Sequence, residues 1–267
     1  MISSVSNGRI KQVVQWQSKA KERKKSGIFI AEGIRMYQEA PLQWILETYV
    51  STQELERLRK SEDERARAAW QKLVQTGYEE VSGEVFAKIS DTSTPQGILC
   101  VMKRPEYVLE NMLKKENPLL LILEDLQDPG NLGTILRTGE GAGVDGVIMS
   151  RETVDIYNPK TIRATMGSIY RVPHIYTEDL GGVLDALRER QICVYAAHLA
   201  GKTYYSDMDF RTGTAFLIGN EGNGLKQETA ERAACYLKIP MEGQVESLNA
   251  AISAGLLVYE AHRQRHI

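Results

Sequence analysis

The chain has 267 residues, 42% of them hydrophobic, and its 33 Lys and Arg residues nearly balance 35 Asp and Glu residues. This length exceeds one average domain, so we expect two domains with separate cores. The balanced charge argues against a polycationic nucleic-acid binder. No stretch approaches the roughly 18 consecutive apolar residues of a membrane span, and the first residues lack the apolar core of a signal peptide. The sequence therefore predicts a soluble, cytoplasmic protein.

Cysteine and histidine are sparse in this sequence. The three cysteines, Cys100, Cys193 and Cys235, lie far apart, and the four histidines follow no metal-ligand spacing. An odd number of distant cysteines indicates neither a disulfide framework nor a zinc site. We therefore predict that the protein holds no metal.

The start of the chain is basic, because residues 1–25 contain seven Lys or Arg residues and one acid, Glu22. Such a cluster can contact nucleic-acid phosphates, although a solvated helix face explains it equally well. The candidate RNA-contacting residues are Arg9, Lys11, Arg23, Lys24 and Lys25.

The first hundred residues mix strand and helix patterns. Strands are predicted at residues 27–33 and 45–50, a helix over 54–74, and a turn followed by a strand over 91–102. The charged, proline-containing stretch that follows is typical of a linker. We therefore predict an N-terminal α/β domain over 1–104, a linker over 105–117 and a second domain over 118–267.

In the second domain, strand and helix patterns alternate, which predicts a parallel sheet with helices on both faces. Three segments join an apolar run to a turn rich in Gly, Asn or Pro: LLLILEDLQDPGNLGTILRTGEGAG (119–143), AFLIGNEGNGL (215–225) and LKIPMEGQVESLNAAISAGLLVYEA (237–261). Ligands in open α/β sheets bind at the carboxyl ends of strands. We therefore expect the functional site in these three loops.

The first segment contains the signals of a helix start. Asp128 is a good N-cap and Pro129 a good first residue. The predicted buried face contains Leu132, Ile135, Leu136 and Gly139. Asn131, Thr134 and Arg137 are left near the loop, where a guanidinium suits a phosphate or a developing oxyanion. The alternative is a surface ion pair of Arg137 with Asp125 or Glu140.

Gly139, Gly141 and Gly143 resemble the G-x-G-x-G loop of Rossmann-type enzymes. That fingerprint requires a strand before it and a helix after it, whereas here the order is reversed. We predict instead that these glycines end the helix in left-handed conformations.

The second and third segments each supply candidate loop residues. Gly219 permits close approach of a ligand to the backbone, and Glu221 can accept hydrogen bonds from neighbouring loop amides. No Lys-Ser or Lys-Thr follows the glycines, so a P-loop is excluded. Ser247 is the predicted N-cap of the last helix, and capping alone is the alternative role for Ser247 and Asn249. The predicted buried stripe is Leu248, Ala251, Ile252, Gly255, Leu256 and Tyr259, and the small residues of this helix permit close packing within the chain or across a dimer.

Together the three segments resemble the SpoU, or TrmH-like, branch of the SPOUT superfamily of RNA 2'-O-ribose methyltransferases. The matching motifs are DPGNLGTILRT, GNEGNGL and IPM followed by Ser247, Leu248 and Asn249. A weaker match is KTIRATMGSIYRVP (160–173). The N-terminal SNGRIK, FIAEG and TPQGILCVM resemble the ribosomal-protein-like substrate-binding domain that often accompanies such enzymes.

This resemblance implies a C-terminal parallel-sheet domain that is threaded into a deep trefoil knot, although knots are rare in proteins. It also implies a homodimer that binds S-adenosylmethionine in the knotted loops. The implied cofactor-binding residues are Gly219, Asn220, Ile239, Met241, Ser247 and Leu248. The implied catalytic residues are Asn131, Arg137, Glu221, Ser247 and Asn249.

The function implied is methylation of a ribose 2'-hydroxyl in structured RNA. Ribosomal (23S) RNA is favoured over transfer RNA by analogy, because the added N-terminal domain is common among relatives that act there. Two further alternatives are a non-catalytic RNA-binding protein of the same fold and methylation of a base. An arginine is effectively never deprotonated, so we expect Arg137 to clamp a phosphate and stabilise the nascent alkoxide.

Overall fold

The computed structural model describes residues 1–266 and divides into two compact units. The first contains Met1–Glu106 and Asp155–Tyr170. The second contains Tyr107–Val154 and the described residues from Arg171 onward. Among the described helices, none combines the length and the apolar character needed to cross a lipid bilayer.

Up to residue 106 the elements are α1 (Gly8–Ser18), α2 (Ala20–Ser26), β1 (Ile28–Glu32), α3 (Ile34–Glu39), β2 (Ile45–Ser51), α4 (Thr52–Lys60), α5 (Glu64–Thr76), β3 (Glu79–Val81), α6 (Gly83–Ile89) and β4 (Ile98–Lys103). A short 3₁₀ turn, Leu42–Trp44, precedes β2. The four strands form one sheet in the order β1-β4-β2-β3, in which only the β2/β3 pair is parallel. The predicted strands at 27–33 and 45–50, and the turn followed by a strand over 91–102, are thereby confirmed.

The core of the first unit packs helices α1 and α6 against this sheet. Its buried members are Ile10, Val13, Ile28, Ile30, Tyr49, Val81, Val85, Phe86, Ile89, Leu99 and Val101. The single helix predicted over 54–74 is wrong, because the chain leaves α4 at Ser61 and starts α5 after Asp63. The Asp63 carboxylate accepts the N–H of Ala66 and so caps the second helix.

From residue 107 the elements are α7 (Leu109–Met112), β5 (Leu119–Leu123), α8 (Pro129–Ala142), β6 (Gly146–Ser150), α9 (Pro159–Thr165), β7 (His174–Thr177), α10 (Leu180–Glu189), β8 (Cys193–Ala197), β9 (Thr203–Tyr204), β10 (Thr214–Ile218), α11 (Gln227–Ala230), β11 (Cys235–Lys238) and α12 (Ala250–Arg265). Short 3₁₀ turns lie at Ser168–Tyr170 and Tyr205–Asp207. Two features differ from the predicted domain division. Helix α9 belongs to the first unit, and Met112 of the predicted linker is buried in the core of the second.

The second unit is built on a seven-stranded sheet with the order β7-β6-β5-β10-β8-β11-β9. Every neighbouring pair is parallel, as predicted. Strands β5, β6 and β10 are buried along their whole length, which is why they appear in the sequence as continuous apolar runs. Because β10 lies between β5 and β8, the loops that follow β5 and β10 emerge side by side at one edge of the sheet.

Helix α8 begins as predicted, with Asp128 as N-cap and Pro129 in the first turn. The predicted role of the three glycines needs correction. Only Gly143 ends the helix, with a φ of 80°, whereas Gly139 and Gly141 lie inside it. A Cβ at Gly141 would lie 2.8 Å from the Tyr259 hydroxyl of α12, so this glycine permits close approach of that side chain.

The predicted start and buried face of α12 are wrong. Asn249, not Ser247, caps the helix. The buried residues are Ala250, Ala251, Ala254, Leu257, Val258 and Ala261, which pack against α8 and β10. Of the predicted stripe, Ala251 is buried as expected, whereas Ile252, Leu256 and Tyr259 are 55%, 37% and 49% accessible. Small alanine side chains let α12 lie close to its neighbours, and Leu257 and Val258 are buried on the same face.

Candidate functional site

A cleft of about 280 Å³ lies at the carboxyl ends of β8, β10 and β11. Its walls come from four stretches of the second unit, within residues 197–199, 218–225, 237–241 and 247–253. The predicted cofactor-binding residues that line it are Gly219, Asn220, Ile239, Met241, Ser247 and Leu248. The structure thus brings all six of them together.

The loop after β10 is a closed turn. Asn220 and Gly224 exchange two backbone hydrogen bonds of 3.0 Å each. The Asn220 side-chain oxygen accepts the N–H groups of Gly222 and Asn223. A Cβ at Gly219 would lie 2.3 Å from the carbonyl carbon of Gly224, so this turn requires glycine at its first position.

Glu221 joins this loop to the first one. Its carboxylate accepts the backbone N–H groups of Gln127 and Asp128, both at 3.1 Å, and the side-chain amide of Asn131 at 3.0 Å. The predicted acceptance of loop amides by Glu221 is confirmed. Both carboxylate oxygens are occupied, so Glu221 holds the loops in place and is poorly suited to act as a base.

Asn249 joins the third loop to the same network. Its oxygen accepts the N–H groups of Ala251 and Ile252, which caps α12, and its amide donates to the Asn131 oxygen at 3.0 Å. A chain of side-chain hydrogen bonds therefore runs from Asn249 through Asn131 to Glu221. Ser247 is exposed and lines the cleft.

Arg137 lies on the exposed face of α8. Its guanidinium makes no ion pair or hydrogen bond with any other residue in the stretch 1–266. The two acids proposed as surface partners are engaged elsewhere, because Asp125 pairs with Lys226 and Glu140 pairs with Arg171. Folding therefore leaves the Arg137 charge available for a ligand.

The pKa of Glu221 is lowered from its ordinary value of 4.5. Burial raises this pKa, but hydrogen bonds from Asn131 and from the backbone N–H groups of Gln127, Glu221 and Asp128 outweigh that effect. A carboxyl group whose folded pKa is depressed stabilises the fold fully above its unfolded pKa. That contribution is lost as the pH falls through the lowered folded value.

We therefore expect acid to destabilise the wild-type protein more steeply than a Glu221→Gln variant as the pH falls below about 4.5. In the wild type, Glu221 takes up a proton when the protein unfolds in acid. Glutamine cannot take up this proton, so the site no longer makes the free energy of unfolding depend on pH. Urea midpoints measured from pH 7 to pH 3 for both proteins test this. Parallel pH profiles would contradict it.

The basic N-terminal residues divide into two groups. Lys11, Lys24 and Lys25 are exposed and form no ion pair within the described chain. Arg9 is partly exposed but pairs with Glu47 and Glu79.

The prediction that Arg23 contacts RNA is wrong, because its side chain is only 3% exposed. It donates to the carbonyls of Trp16 and Gln17 and to the Asp155 carboxylate at 2.6 Å. It therefore holds the first unit together.

Replacing Arg23 by alanine is expected to lower the free energy of unfolding by about 3 kcal/mol, because the charge of Asp155 loses its buried partner. The matched change Arg9→Ala removes an exposed pair and should cost less than about 1 kcal/mol. Urea denaturation of both variants distinguishes the two cases. Equal, small losses would show that Arg23 is dispensable for folding.

Sequence reasoning missed the roles of Glu124 and Asp125, which follow β5. Glu124 is 3% exposed, and its carboxylate accepts the Lys226 N–H and the Thr229 hydroxyl. Two consecutive acids directly after a buried apolar strand are the signal that could have identified them. Metal ligation finds no support in the described chain, where no group of three or more His, Cys, Asp or Glu side chains is arranged to hold an ion.

The fold and site define an α/β protein whose ligand cleft is formed by glycine- and asparagine-rich loops at the carboxyl edge of a parallel sheet. The SpoU rRNA Methylase family matches residues 118–259. The MRM3-like substrate binding domain matches residues 7–100. The chain therefore belongs to the SpoU rRNA methylase family and is a methyltransferase with an N-terminal substrate-binding domain.

Named relatives agree with this assignment. The chain is 31% identical over 97% of both sequences to the 23S rRNA (guanosine(2553)-2'-O)-methyltransferase RlmP of Bacillus subtilis. The SpoU methyltransferase AviRb of Streptomyces viridochromogenes, solved with AdoMet, superposes with a TM-score of 0.83 at 26% identity, covering 97% of this chain and 98% of the other. An AdoMet-bound rRNA methyltransferase of Sinorhizobium meliloti gives a TM-score of 0.80 at 30% identity over 98% and 97% of the two chains.

Proposed function

We propose that this protein transfers the methyl group of S-adenosylmethionine to a ribose 2'-hydroxyl of 23S ribosomal RNA in the cytoplasm. The observation that carries the proposal is that Asn131 of the first loop is hydrogen-bonded to Glu221 and Asn249, which belong to the two loops that line the cleft. The named activity of RlmP over nearly the full length of this chain supports the ribosomal substrate.

The cleft fits S-adenosylmethionine by its chemistry. Leu199, Ile239, Met241 and Leu248 supply apolar surface for an adenine ring and the carbon chain of the methionine part, and the glycine-rich turn permits a ligand to approach the backbone. The cofactor, when bound, supplies an electrophilic methyl group on a sulfonium. We propose that the backbone of Gly219, Ile239 and Leu248 holds it, with Asn220, Met241 and Ser247 completing the site.

Positioning is the main source of rate enhancement in this proposal. Aligning two reactants can supply about 7–11 kcal/mol, whereas one general base supplies about 3–5 kcal/mol. Asn131, Glu221 and Asn249 fix the loops, and Ser247 orients the substrate at the cleft. Arg137 clamps an RNA phosphate and stabilises the developing alkoxide. Because its guanidinium remains protonated, Arg137 does not take up the hydroxyl proton.

We propose that the protein acts as a homodimer through the exposed face of α12. Ile252, Leu256 and Tyr259 form an apolar surface beside Thr134 and Thr138 of α8, around a shallow depression of about 510 Å³. An exposed apolar patch of this kind is typical of a protein interface. The same proposal includes a C-terminal chain threaded into a trefoil knot, as the family resemblance implies.

Introducing a charge into this face, as in Leu256→Glu, is expected to weaken self-association at least about tenfold, because a dimer would bury the new carboxylate without a partner. Sedimentation equilibrium of wild type and variant measures the effect. Leu46→Glu, at an exposed leucine of the first unit, is the matched control for association. A wild-type protein that sediments as a monomer at all concentrations would contradict the proposal.

The activity itself is tested with labelled S-adenosylmethionine and undermethylated 23S ribosomal RNA, followed by digestion and identification of the labelled nucleoside. We expect a 2'-O-methylated nucleoside. Label transferred only to transfer RNA would favour the alternative substrate, and label on a base would contradict the reaction. Cofactor binding without transfer to any RNA would favour a non-catalytic RNA-binding role, in which exposed Lys11, Lys24 and Lys25 would contribute to phosphate contact.

A further inference from the structure

Asp125 has an unusual backbone at a decisive place in the fold. It lies two residues after the end of β5, and its φ of 53° lies in the left-handed region that residues other than glycine, asparagine and aspartate rarely adopt. This residue precedes the first functional loop. Its conformation sets the direction in which that loop leaves the sheet.

The side chain of Asp125 is tied down on two sides. One carboxylate oxygen accepts the Ser150 hydroxyl at 2.7 Å, and the other pairs with the Lys226 ammonium at 2.7 Å. The backbone N–H of Asp125 donates in turn to the Ser150 hydroxyl at 2.8 Å. Ser150 ends β6, and Lys226 is the N-cap position of α11. The left-handed conformation is thus braced by two neighbouring elements.

The conformation turns the Asp125 carbonyl toward the cofactor loop. This oxygen accepts the Asn220 side-chain amide at 2.8 Å and the Gln127 side-chain amide at 3.0 Å. The other end of the Asn220 side chain organises the turn by accepting from Gly222 and Asn223. Asn220 therefore fastens the whole turn to the carbonyl of Asp125.

We propose that Asp125 is a positioning residue for cofactor binding, whose left-handed backbone presents a carbonyl that anchors the glycine-rich turn through Asn220. The proposal rests on the proposed function, because it assigns the turn to S-adenosylmethionine. Asp125 acts on the cofactor through Asn220 and does not itself belong to the cleft lining. Its backbone conformation, more than its charge, carries the effect.

A series of variants separates conformation from charge. Asparagine tolerates the left-handed region and can still accept the Ser150 hydroxyl, so Asp125→Asn should bind S-adenosylhomocysteine within about threefold of wild type. Alanine disfavours this region, which reduces the fraction of molecules with the turn in place and weakens binding about tenfold. Asp125→Gly should fall between the two. Calorimetric titration gives the dissociation constants.

Gly143 provides a matched control, because it also has a positive φ, 80°, and lies outside the cleft, at the end of α8. Gly143→Ala introduces comparable strain without a clash, because an added Cβ there would meet no atom within 4 Å, and it should leave the affinity for S-adenosylhomocysteine unchanged. A second measurement needs no ligand: amide hydrogen exchange of residues 220–224 should be faster in Asp125→Ala than in Gly143→Ala.

The outcomes are separable. An alanine variant that binds like wild type, or an asparagine variant as weak as the alanine variant, would overturn the proposal. If wild type binds no S-adenosylhomocysteine, the proposed function fails, and equal hydrogen exchange in the two alanine variants would then overturn the anchoring role independently. A double-mutant cycle with Asn220→Ala should show a non-additive loss of affinity in a wild type that binds.

Discussion

Replacing Arg137 by alanine is expected to lower kcat for RNA methylation about 10²- to 10³-fold, the usual effect of removing one preorganised stabiliser of a developing oxyanion. The affinity for S-adenosylmethionine should be unchanged, because Arg137 does not line the cofactor cleft. Folding should also be unaffected, since this guanidinium has no partner in residues 1–266. Single-turnover kinetics with saturating RNA, together with calorimetry for the cofactor, measure both quantities.

Arg211 is a suitable control for charge removal, because it is exposed on the second unit and pairs only locally with Asp209. Arg211→Ala should leave kcat unchanged. Arg137→Lys keeps the charge but loses the planar fork that contacts two oxygens at once, so it should recover only part of the lost rate. Turnover of Arg137→Ala comparable to wild type, with RNA saturating, would remove this residue from the mechanism.

Replacing Gly219 by alanine is expected to weaken cofactor binding about 100-fold, or roughly 3 kcal/mol, the upper end of the cost of overpacking. The new Cβ would lie 2.3–2.6 Å from backbone atoms of Gly224 and Leu225, which no side-chain rotation can relieve. The closed turn must open, and its backbone groups then leave their positions at the cleft. Isothermal titration with S-adenosylhomocysteine measures the loss.

Gly243 offers a control for the same substitution in the third loop. A Cβ at Gly243 would meet no atom within 4 Å, and its φ lies outside the left-handed region. Gly243→Ala should therefore bind the cofactor like wild type. Unchanged affinity in Gly219→Ala would mean that the turn after β10 does not hold the cofactor.

The parallel sheet could be predicted because its strands are buried on both faces and therefore appear as apolar runs, as in LLLIL and TAFLI. Strand β7 and helix α10 were not predicted. Strand β7 has four residues, only one of them buried, so it forms no apolar run in the sequence. The domains predicted from the sequence are continuous stretches of chain, whereas the first unit of the structure combines two separate stretches. Helix α9 packs against β1, and Tyr157, which precedes α9, contacts Phe29 of β1; these contacts are remote in sequence.

The buried face of α12 could not be predicted, because the helix itself carries apolar residues on every face. Large side chains such as Ile252 were predicted to be buried. The helix instead packs against α8 through the face that contains Ala254 and Leu257. Ser247 and Asn249 are both good capping residues, and their separation of two residues is below the resolution of sequence patterns. The cap assigned by the structure is Asn249.

The gathering of the site residues was predictable in outline, because loops at the carboxyl ends of adjacent parallel strands must meet. The partners within the site were not. Glu221 and Asn131 are 90 residues apart, and their hydrogen bond depends on the neighbouring positions of β5 and β10. The role of Asp125 depends on a backbone angle for which the sequence holds only weak signals.

We propose that the site built from the three loops directs methyl transfer to a ribose of 23S ribosomal RNA. The most direct test is to map 2'-O-methyl groups in cells with and without the protein. We expect one ribose of 23S ribosomal RNA to lose its methyl group when the gene is deleted. Wild-type protein should restore it, and Arg137→Ala should not. An identical 2'-O-methyl map of ribosomal RNA in both cell types would contradict the account.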